Sequence, residues 1–223
     1  MLLAFDTATP QVSVALYSPD AGEVVAEAVS DRAMKHGEQL APLIEQVMAS
    51  AGLVRQDLTA IAVGAGPGPF TGLRVGLVTA RTLGFVLDIP VYAACSLDVL
   101  AVEVAAKSLV TSRFVVATDA RRKEVYLASY DADGTRLEGP VVARPADVAT
   151  DVPVVGEGAA LYPDAFPNVV WTLATHGPAR PSAAWLARAI ADERVELLDP
   201  EPLYLRRPDA VERASQQPKP VAP

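Results

Sequence analysis

The sequence predicts an α/β protein made of two related halves, and three observations support that fold class. Short apolar runs separated by turn residues open the chain, and similar runs return near Ser112. Segments with helical spacing of apolar residues follow the first set of runs. Of the 223 residues, 51% are hydrophobic and 21% are charged, so the chain is long and apolar enough to bury a sizeable core.

The first half is predicted to begin with an antiparallel meander of three strands, "LLAFDTA", "VSVALYS" and "EVVAEAVS", because turn residues separate them. A helix follows in "HGEQLAPLIEQVMASAG", where apolar residues recur three and four positions apart. The run "LTAIAVGAG" is a predicted buried strand, a second helix is predicted from Phe70 to Asp88, and "IPVYAA" is another strand. This order of elements indicates a sheet covered by helices.

The second half is predicted to repeat the first, beginning with the strands "RFVVATDA" and "EVYLASY". One constant offset of 113 positions superimposes five pairs of residues without a gap: Asp6 and Asp119, Val12 and Val125, Val14 and Leu127, Tyr17 and Tyr130, Asp20 and Asp133. Such a match indicates duplication. Two unrelated hairpins with equal loop lengths would align in the same way, so both explanations stay open.

The remaining sequence completes a two-domain arrangement. The run "DVPVVGEGAALY" predicts a strand, a turn and a short helix, and "PSAAWLARAIADER" predicts another helix. We expect an N-terminal domain over residues 1–105, a smaller domain over 106–207 and a polar tail over 208–223. Two halves of this kind describe two ribonuclease-H-like domains, the architecture of the actin, sugar-kinase and chaperone-ATPase superfamily, in which ATP lies between the halves.

The stretch "GAGPGPFTGLRVGLVTARTLGF" looks like a phosphate loop that opens a helix, but it departs from both common nucleotide loops. The Walker pattern needs a lysine, and none occurs between Gly64 and Phe85. The pattern G-x-G-x-x-G fails because Pro69 and Thr71 occupy the places of its third glycine. Pro67 and Pro69 also lack the backbone N–H groups that hold phosphate. We therefore predict that this loop binds no nucleotide.

Small residues recur every four positions along the second helix and share one edge of it. Because interior glycine costs about 0.5–1 kcal/mol relative to alanine, this edge indicates close approach of another backbone. Either the two N-terminal helices simply pack on each other, or they form an exposed surface that docks on a similar pair in another subunit. The second interpretation predicts a partner interface of ten residues: Leu40, Leu43, Ile44, Val47, Gly72, Leu73, Gly76, Leu77, Ala80 and Gly84.

The charge balance argues against extensive RNA binding by the chain alone. Nineteen Lys and Arg against 27 Asp and Glu give a net charge of −8, whereas nucleic-acid phosphates are neutralised by basic side chains. If RNA is involved, we expect a partner to supply most of the contact. The turn Arg121-Arg122-Lys123 is a candidate for a local contact, although such clusters are commonly solvated surface.

Metal and cofactor chemistry is poorly supplied. The histidines His36 and His176 and the single Cys95 form no zinc-binding pattern, so we predict neither a metal site nor a cofactor. One cysteine fits a reducing compartment, and the N-terminus has no signal-peptide pattern. Charged residues interrupt the apolar region Val75–Ala94. We expect a cytoplasmic protein without a membrane segment.

Three residues form a weak nucleotide candidate. Asp6 and Asp119 each end a predicted strand, where kinase-like members of the superfamily keep carboxylates for phosphate or magnesium, and Thr7 follows the first of them. The stretch "DTATP" lacks the glycines of such loops, and Asp is common at turns for local reasons. An ATP-binding kinase-like enzyme is therefore an alternative interpretation.

Five stretches, in order along nearly the whole chain, together resemble the TsaB (YeaZ) family: "LLAFDTATPQVSVAL", "GAGPGPFTGLRVGLVTARTLGF", "TDARRKEVYLASY", "VVGEGA" and "PLYLRRPD". The block "GPGPFTGLRVG" is the most specific of them. The resemblance implies a scaffold and dimerisation subunit of the system that makes N6-threonylcarbamoyladenosine in tRNAs, at the adenosine beside the anticodon.

In that system the paralogue TsaD transfers the threonylcarbamoyl group, and the ATPase TsaE joins the assembly. TsaD carries a metal-binding H-x-x-x-H after its own glycine block, whereas the corresponding place here, Cys95 to Leu100, contains no histidine. The resemblance therefore implies a non-catalytic subunit that binds TsaD, forms a homodimer in isolation and meets tRNA mainly through its partners. A second alternative, a glycoprotease-like metallopeptidase, lacks the ligands that it would need.

Overall fold

The computed structural model describes residues 1–30, 35–170 and 179–206. His176 and the predicted tail over residues 208–223 lie outside the described residues. The elements of the first half are β1 (Leu2–Asp6), β2 (Ser13–Ser18), β3 (Glu23–Val29), α1 (His36–Ser50), β4 (Ala60–Gly64), α2 (Phe70–Leu87) and β5 (Val91–Ala94). Those that follow are α3 (Ser96–Ala106), β6 (Phe114–Asp119), β7 (Val125–Tyr130), β8 (Arg136–Ala143), β9 (Val154–Val155), α4 (Glu157–Leu161) and α5 (Ala183–Ala191).

Both halves share one sheet plan. In the first sheet, with the order β3-β2-β1-β4-β5, the first three strands form an antiparallel meander and β4 joins β1 in parallel. In the second sheet, with the order β8-β7-β6-β9, the meander β6–β8 is again antiparallel and β9 joins β6 in parallel. The α/β class and the duplicated ribonuclease-H-like plan are therefore confirmed, since a parallel strand beside the first strand of a meander occurs twice.

The constant offset of 113 holds for the first strands and fails in the second ones. Asp6 lies opposite Ser13, and Asp119 lies opposite Val125. Residues 7–12 connect the first pair and residues 120–124 connect the second pair, so the second hairpin loop is one residue shorter. The β2 and β7 positions are therefore related by 112, and the predicted pairs beyond the hairpin loop are displaced by one residue.

Two helices cross between the halves. Apolar residues of α3, which precedes the predicted boundary at residue 106, pack with Phe114 and Tyr130 of the second sheet. Apolar residues of α5, which lies in the predicted second domain, pack with Ala4, Ala15 and Tyr17 of the first sheet. The two hydrophobic cores thus do not follow the predicted division into residues 1–105 and 106–207.

Candidate functional site

The glycine-rich loop before α2 is packed inside the protein. Gly64, Gly66 and Gly68 are buried, and a Cβ at Gly68 would overlap the backbone of Ala8 in the β1–β2 connection. Gly66 has a φ of +97°, a conformation in which glycine is favoured. The glycines of this loop are therefore explained by close packing within the chain.

The small-residue edge of α2 faces the protein's own interior, which corrects the prediction that it forms a partner interface. A Cβ at Gly72 would lie 2.6 Å from the Thr7 carbonyl oxygen, and one at Gly76 would overlap the Thr7 hydroxyl. At Gly84 a Cβ would overlap Val91 of β5. The backbone that approaches this edge belongs to the same chain.

The other predicted interface residues also belong to the first core. These residues lie on the sides of α1 and α2 that face the other helix and the sheet. Leu43 and Ile44 are half-buried against the core, and the remainder are fully enclosed within it: Leu40, Val47, Leu73, Leu77 and Ala80. The simpler interpretation, in which the two helices pack on each other, accounts for these residues.

A different face of α2 is exposed and apolar. Phe85 is 88% exposed, Val86 is 69% exposed and Val78 is 61% exposed. Together with Arg81 and Thr82 they form what we call the docking face. Val78, Arg81, Thr82 and Phe85 also line an open groove of about 720 Å³. Contiguous exposed apolar surface of this kind is typical of a protein–protein contact.

The neighbouring helix α1 carries exposed acidic residues. Its exposed residues include Glu38 and Glu45, and no basic residue occurs in its last turn. The exposed side of α2, by contrast, carries Arg74 and Arg81. The helix pair thus presents one acidic and one basic helix, a charge pattern that complements a second pair of the same kind in antiparallel orientation.

By length and composition, α2 could also cross a membrane. Such a helix is weak evidence of a membrane segment, because core helices of layered proteins have the same composition. The edge formed by its glycines packs against β5 and the β1–β2 connection, which explains much of its apolar character.

The predicted nucleotide residues of the first half are enclosed and bonded to their own chain. Asp6 is 1% exposed; its carboxylate accepts hydrogen bonds from Ser96 Oγ at 2.6 Å and from the Ala8 N–H at 2.7 Å. Burial raises the pKa of Asp6, and the Ser96 hydrogen bond partly opposes that rise. The Thr7 hydroxyl donates to the Gly72 carbonyl at 2.8 Å. Because both side chains tie β1 to neighbouring helices, their assignment to a nucleotide does not hold.

Asp119 makes the equivalent turn in the second half. Its Oδ1 accepts a hydrogen bond from the Arg121 N–H at 2.8 Å, as Asp6 does from Ala8, and its Oδ2 lies 3.3 Å from the Arg121 guanidinium. This carboxylate is therefore neutralised by its own loop. The shared turn is a physical reason for Asp at both strand ends.

Another buried carboxylate, Asp98, joins α3 to the second sheet, and no sequence motif predicted it. Asp98 accepts hydrogen bonds from the Tyr130 hydroxyl at 2.8 Å and from Arg136 at 3.2 Å. Arg136 also contacts Glu196 at 2.9 Å. Burial raises the pKa of Asp98, and Arg136 opposes the rise. These contacts hold elements together and leave no group directed at a substrate.

In the described part of the chain, no group of three His, Cys, Asp or Glu side chains is placed to hold a metal ion. The ring Nε2 of His36 lies 2.7 Å from the Thr9 carbonyl oxygen, and this histidine is buried, not a surface residue. The prediction that the protein has no metal site stays a prediction.

The chain is similar to known proteins both in sequence and in structure. Residues 23–170 match the family model of TsaD, tRNA N6-adenosine threonylcarbamoyltransferase. An uncharacterized protein of Mycobacterium tuberculosis is 44% identical over 94% of this chain and 93% of its own length. The tRNA threonylcarbamoyladenosine biosynthesis protein TsaB of Bacillus subtilis is 30% identical over 94% of this chain and 95% of its own length. The structure of YeaZ from Pseudomonas aeruginosa superimposes with a TM-score of 0.75 at 29% identity, covering 92% and 99% of the two chains.

The duplicated fold and the family model together define a protein of the threonylcarbamoyltransferase family in the broad sense. Within it, the full-length matches to TsaB and YeaZ decide the branch. The chain belongs to the TsaB (YeaZ) family.

Proposed function

We propose that this protein is an accessory subunit in the formation of N6-threonylcarbamoyladenosine in tRNA, and that it works by docking on a TsaD-family transferase. The name of its full-length relative in Bacillus subtilis, the tRNA threonylcarbamoyladenosine biosynthesis protein TsaB, supports the pathway. The observation that carries the docking role is the apolar docking face of α2, with Phe85 88% exposed. Covering a side chain of that size together with two other apolar residues is favourable, and contiguous apolar patches of this kind mark protein–protein contacts.

The partner is proposed to be a TsaD-family protein because of shared fold. The model of that family matches a range that contains both α1 and α2, so such a partner carries a helix pair of the same kind. Two similar pairs can meet about a pseudo-two-fold axis, which in a homodimer sets the acidic α1 of one copy beside Arg81 of the other. In isolation, a second copy of this chain fits the same face and gives a homodimer.

We propose that the transfer reaction itself is performed by the partner. The buried carboxylates Asp6 and Asp98 are engaged by Ser96, Tyr130 and Arg136, so they serve the fold. The ATPase TsaE would join the assembly, tRNA would be held mainly by the partners, as the net charge of −8 favours, and the assembly would be cytoplasmic.

Reconstitution with and without this chain tests the proposed function. Modified tRNA is measured with TsaD and TsaE from the same organism. A requirement for the chain, without activity of the chain alone, supports the accessory role; full modification without it refutes that role. Turnover of Mg-ATP by the isolated chain would favour the kinase-like alternative, and stoichiometric zinc would favour the metallopeptidase.

The docking face is tested by one exposed substitution. Phe85→Glu places a charge where the proposed interface is apolar, so partner affinity should fall at least about 30-fold, the effect of losing a hot spot. The thermal stability of the monomer, measured at a protein concentration too low for the proposed homodimer, should not change, because a side chain so exposed contributes within about 0.5 kcal/mol. Leu161→Glu, at an exposed apolar residue of α4, is the matched control and should bind normally. Undiminished binding by Phe85→Glu would show that the partner docks elsewhere.

A further inference from the structure

The hairpin turn between β6 and β7 carries three cations in an unusual backbone conformation. Arg121, Arg122 and Lys123 are exposed and have φ values of +61°, +56° and +62°. The Glu124 N–H donates to the Arg121 carbonyl at 3.0 Å, which closes a four-residue turn with Arg122 and Lys123 at its centre. Two central residues with positive φ define a type I′ turn.

Arg122 and Lys123 are poor residues for this turn by local energetics. Type I′ turns strongly favour Asn-Gly, because left-handed backbone costs a residue with a Cβ about 1–2 kcal/mol. The chain keeps two long cations there, and Arg121 adds a third positive charge. Local strain that the fold itself does not need is an observation that motivates a functional role.

The turn is one end of a continuous row of basic and aromatic side chains across the seam of the two halves. Arg206 donates to the Ala120 carbonyl at 3.3 Å and pairs with Glu124 of the turn. Two residues earlier, Tyr204 stacks on Phe70 with ring centroids 5.2 Å apart. Arg74 lies 4.0 Å over the Phe70 ring and donates to the Tyr204 hydroxyl at 3.2 Å. We call this row the basic ridge; its residues are Phe70, Arg74, Arg121, Arg122, Lys123, Tyr204 and Arg206.

We propose that the basic ridge binds RNA, with the Arg121–Lys123 turn on backbone phosphates and the exposed Phe70–Tyr204 pair beside unstacked bases. This proposal rests on the proposed function, in which the RNA is the tRNA substrate of the assembly. Guanidinium and ammonium groups contact phosphates, and aromatic rings flanked by Arg are platforms for bases. The ridge concentrates five cations in a chain whose net charge is −8, so this site is local and the chain is not a general polyanion binder.

The ridge lies away from the docking face. It includes the first turn of α2 at Phe70, whereas the docking face lies near the other end at Phe85. At 1.5 Å per residue these two rings are about 22 Å apart along the helix axis. A partner bound on the docking face would thus leave the turn accessible beside it.

Replacing the turn by its locally preferred residues separates recognition from folding. Arg122→Asn with Lys123→Gly removes two positive charges and relieves the backbone strain, so this variant should melt at or above the temperature of the wild type. In complex with the TsaD-family partner, its affinity for an unmodified tRNA transcript should fall roughly fivefold or more. The slope of log affinity against log salt should become shallower by about 1.4–1.8, the value for two lost phosphate contacts.

The control removes the same charge elsewhere. The control variant carries Arg55→Gln and Arg113→Gln. Both arginines are exposed; Arg55 precedes β4 and Arg113 lies at the amino end of β6, away from the turn. The tRNA affinity of this variant should stay at the wild-type value. The single variant Lys123→Gly gives the same test if the double variant melts lower, with a slope change of about 0.7–0.9.

Equal tRNA affinity and equal salt slope for the turn variant and the wild type would overturn the proposal. Loss of partner binding with unchanged tRNA affinity would also overturn it, since the ridge would then bind protein. Both results are distinct from failure of the proposed function, which is read from whether the wild-type chain is required for modification.

Discussion

Gly76→Ala tests whether the glycine edge of α2 serves the fold. The added methyl group would overlap the Thr7 hydroxyl, which donates to the Gly72 carbonyl at 2.8 Å. Overpacking costs about 1–3 kcal/mol, and loss of that hydrogen bond costs about 0.5–1.5 kcal/mol. Alanine recovers about 1 kcal/mol of helix propensity. The net expectation is a loss of about 2 kcal/mol in the free energy of unfolding.

Urea unfolding followed by circular dichroism measures this loss, and about 2 kcal/mol corresponds to a melting temperature lower by roughly 4–8 °C. Gly37→Ala is the matched control, because a Cβ at that helical position would be no closer than 4.0 Å to Val75 and should leave stability equal or higher by up to about 1 kcal/mol. In a Thr7→Ala background, Gly76→Ala should become neutral or stabilising. If Gly76→Ala is as stable as Gly37→Ala, the packing argument is refuted.

Two further predictions follow from buried titratable groups. The Cys95 thiol is fully buried, and burial raises its pKa to about 12. This thiol should resist alkylation in the native protein and react when the protein unfolds. Rapid alkylation of the native protein would show that α3 opens locally. Burial raises the pKa of Asp6 above its usual 3.8. The protonated carboxyl therefore stabilises the folded protein, and this stabilisation is lost as the pH rises through the raised pKa. The wild type should therefore be more stable relative to Asp6→Asn at about pH 4 than at about pH 7.5 in urea titrations; a difference independent of pH would contradict the shift.

The sequence predicted the elements whose apolar patterns are bounded by turns. The first meander, the strands β6 and β7, and the helices α1, α2 and α5 follow from alternation, helical spacing and turn residues. The prediction missed α3, because nine of its residues from Ser96 to Val104 are buried and an evenly apolar helix has no periodicity to detect. It also missed β8, an edge strand with a largely exposed pattern that resembles a loop.

The site was predicted less well, and the reason is long-range packing. Spacing of four places Gly72, Gly76 and Gly84 on one edge of α2, yet it does not say which backbone approaches them. Their neighbours are Thr7 and Val91, and only the fold brings Thr7, far away in sequence, onto the helix. The exposed residues Val78 and Phe85 lie on another side of α2, and the spacing of the small residues did not single them out.

The crossing of α3 and α5 between the sheets has a mechanical meaning. Each half holds a helix of the other half within its core, and the Leu203 N–H donates to the Ala65 carbonyl across the seam at 2.9 Å. Opening such a molecule would expose both hydrophobic interiors. We therefore expect the two halves to keep one fixed relative orientation, so that the surfaces on both halves stay in a constant arrangement.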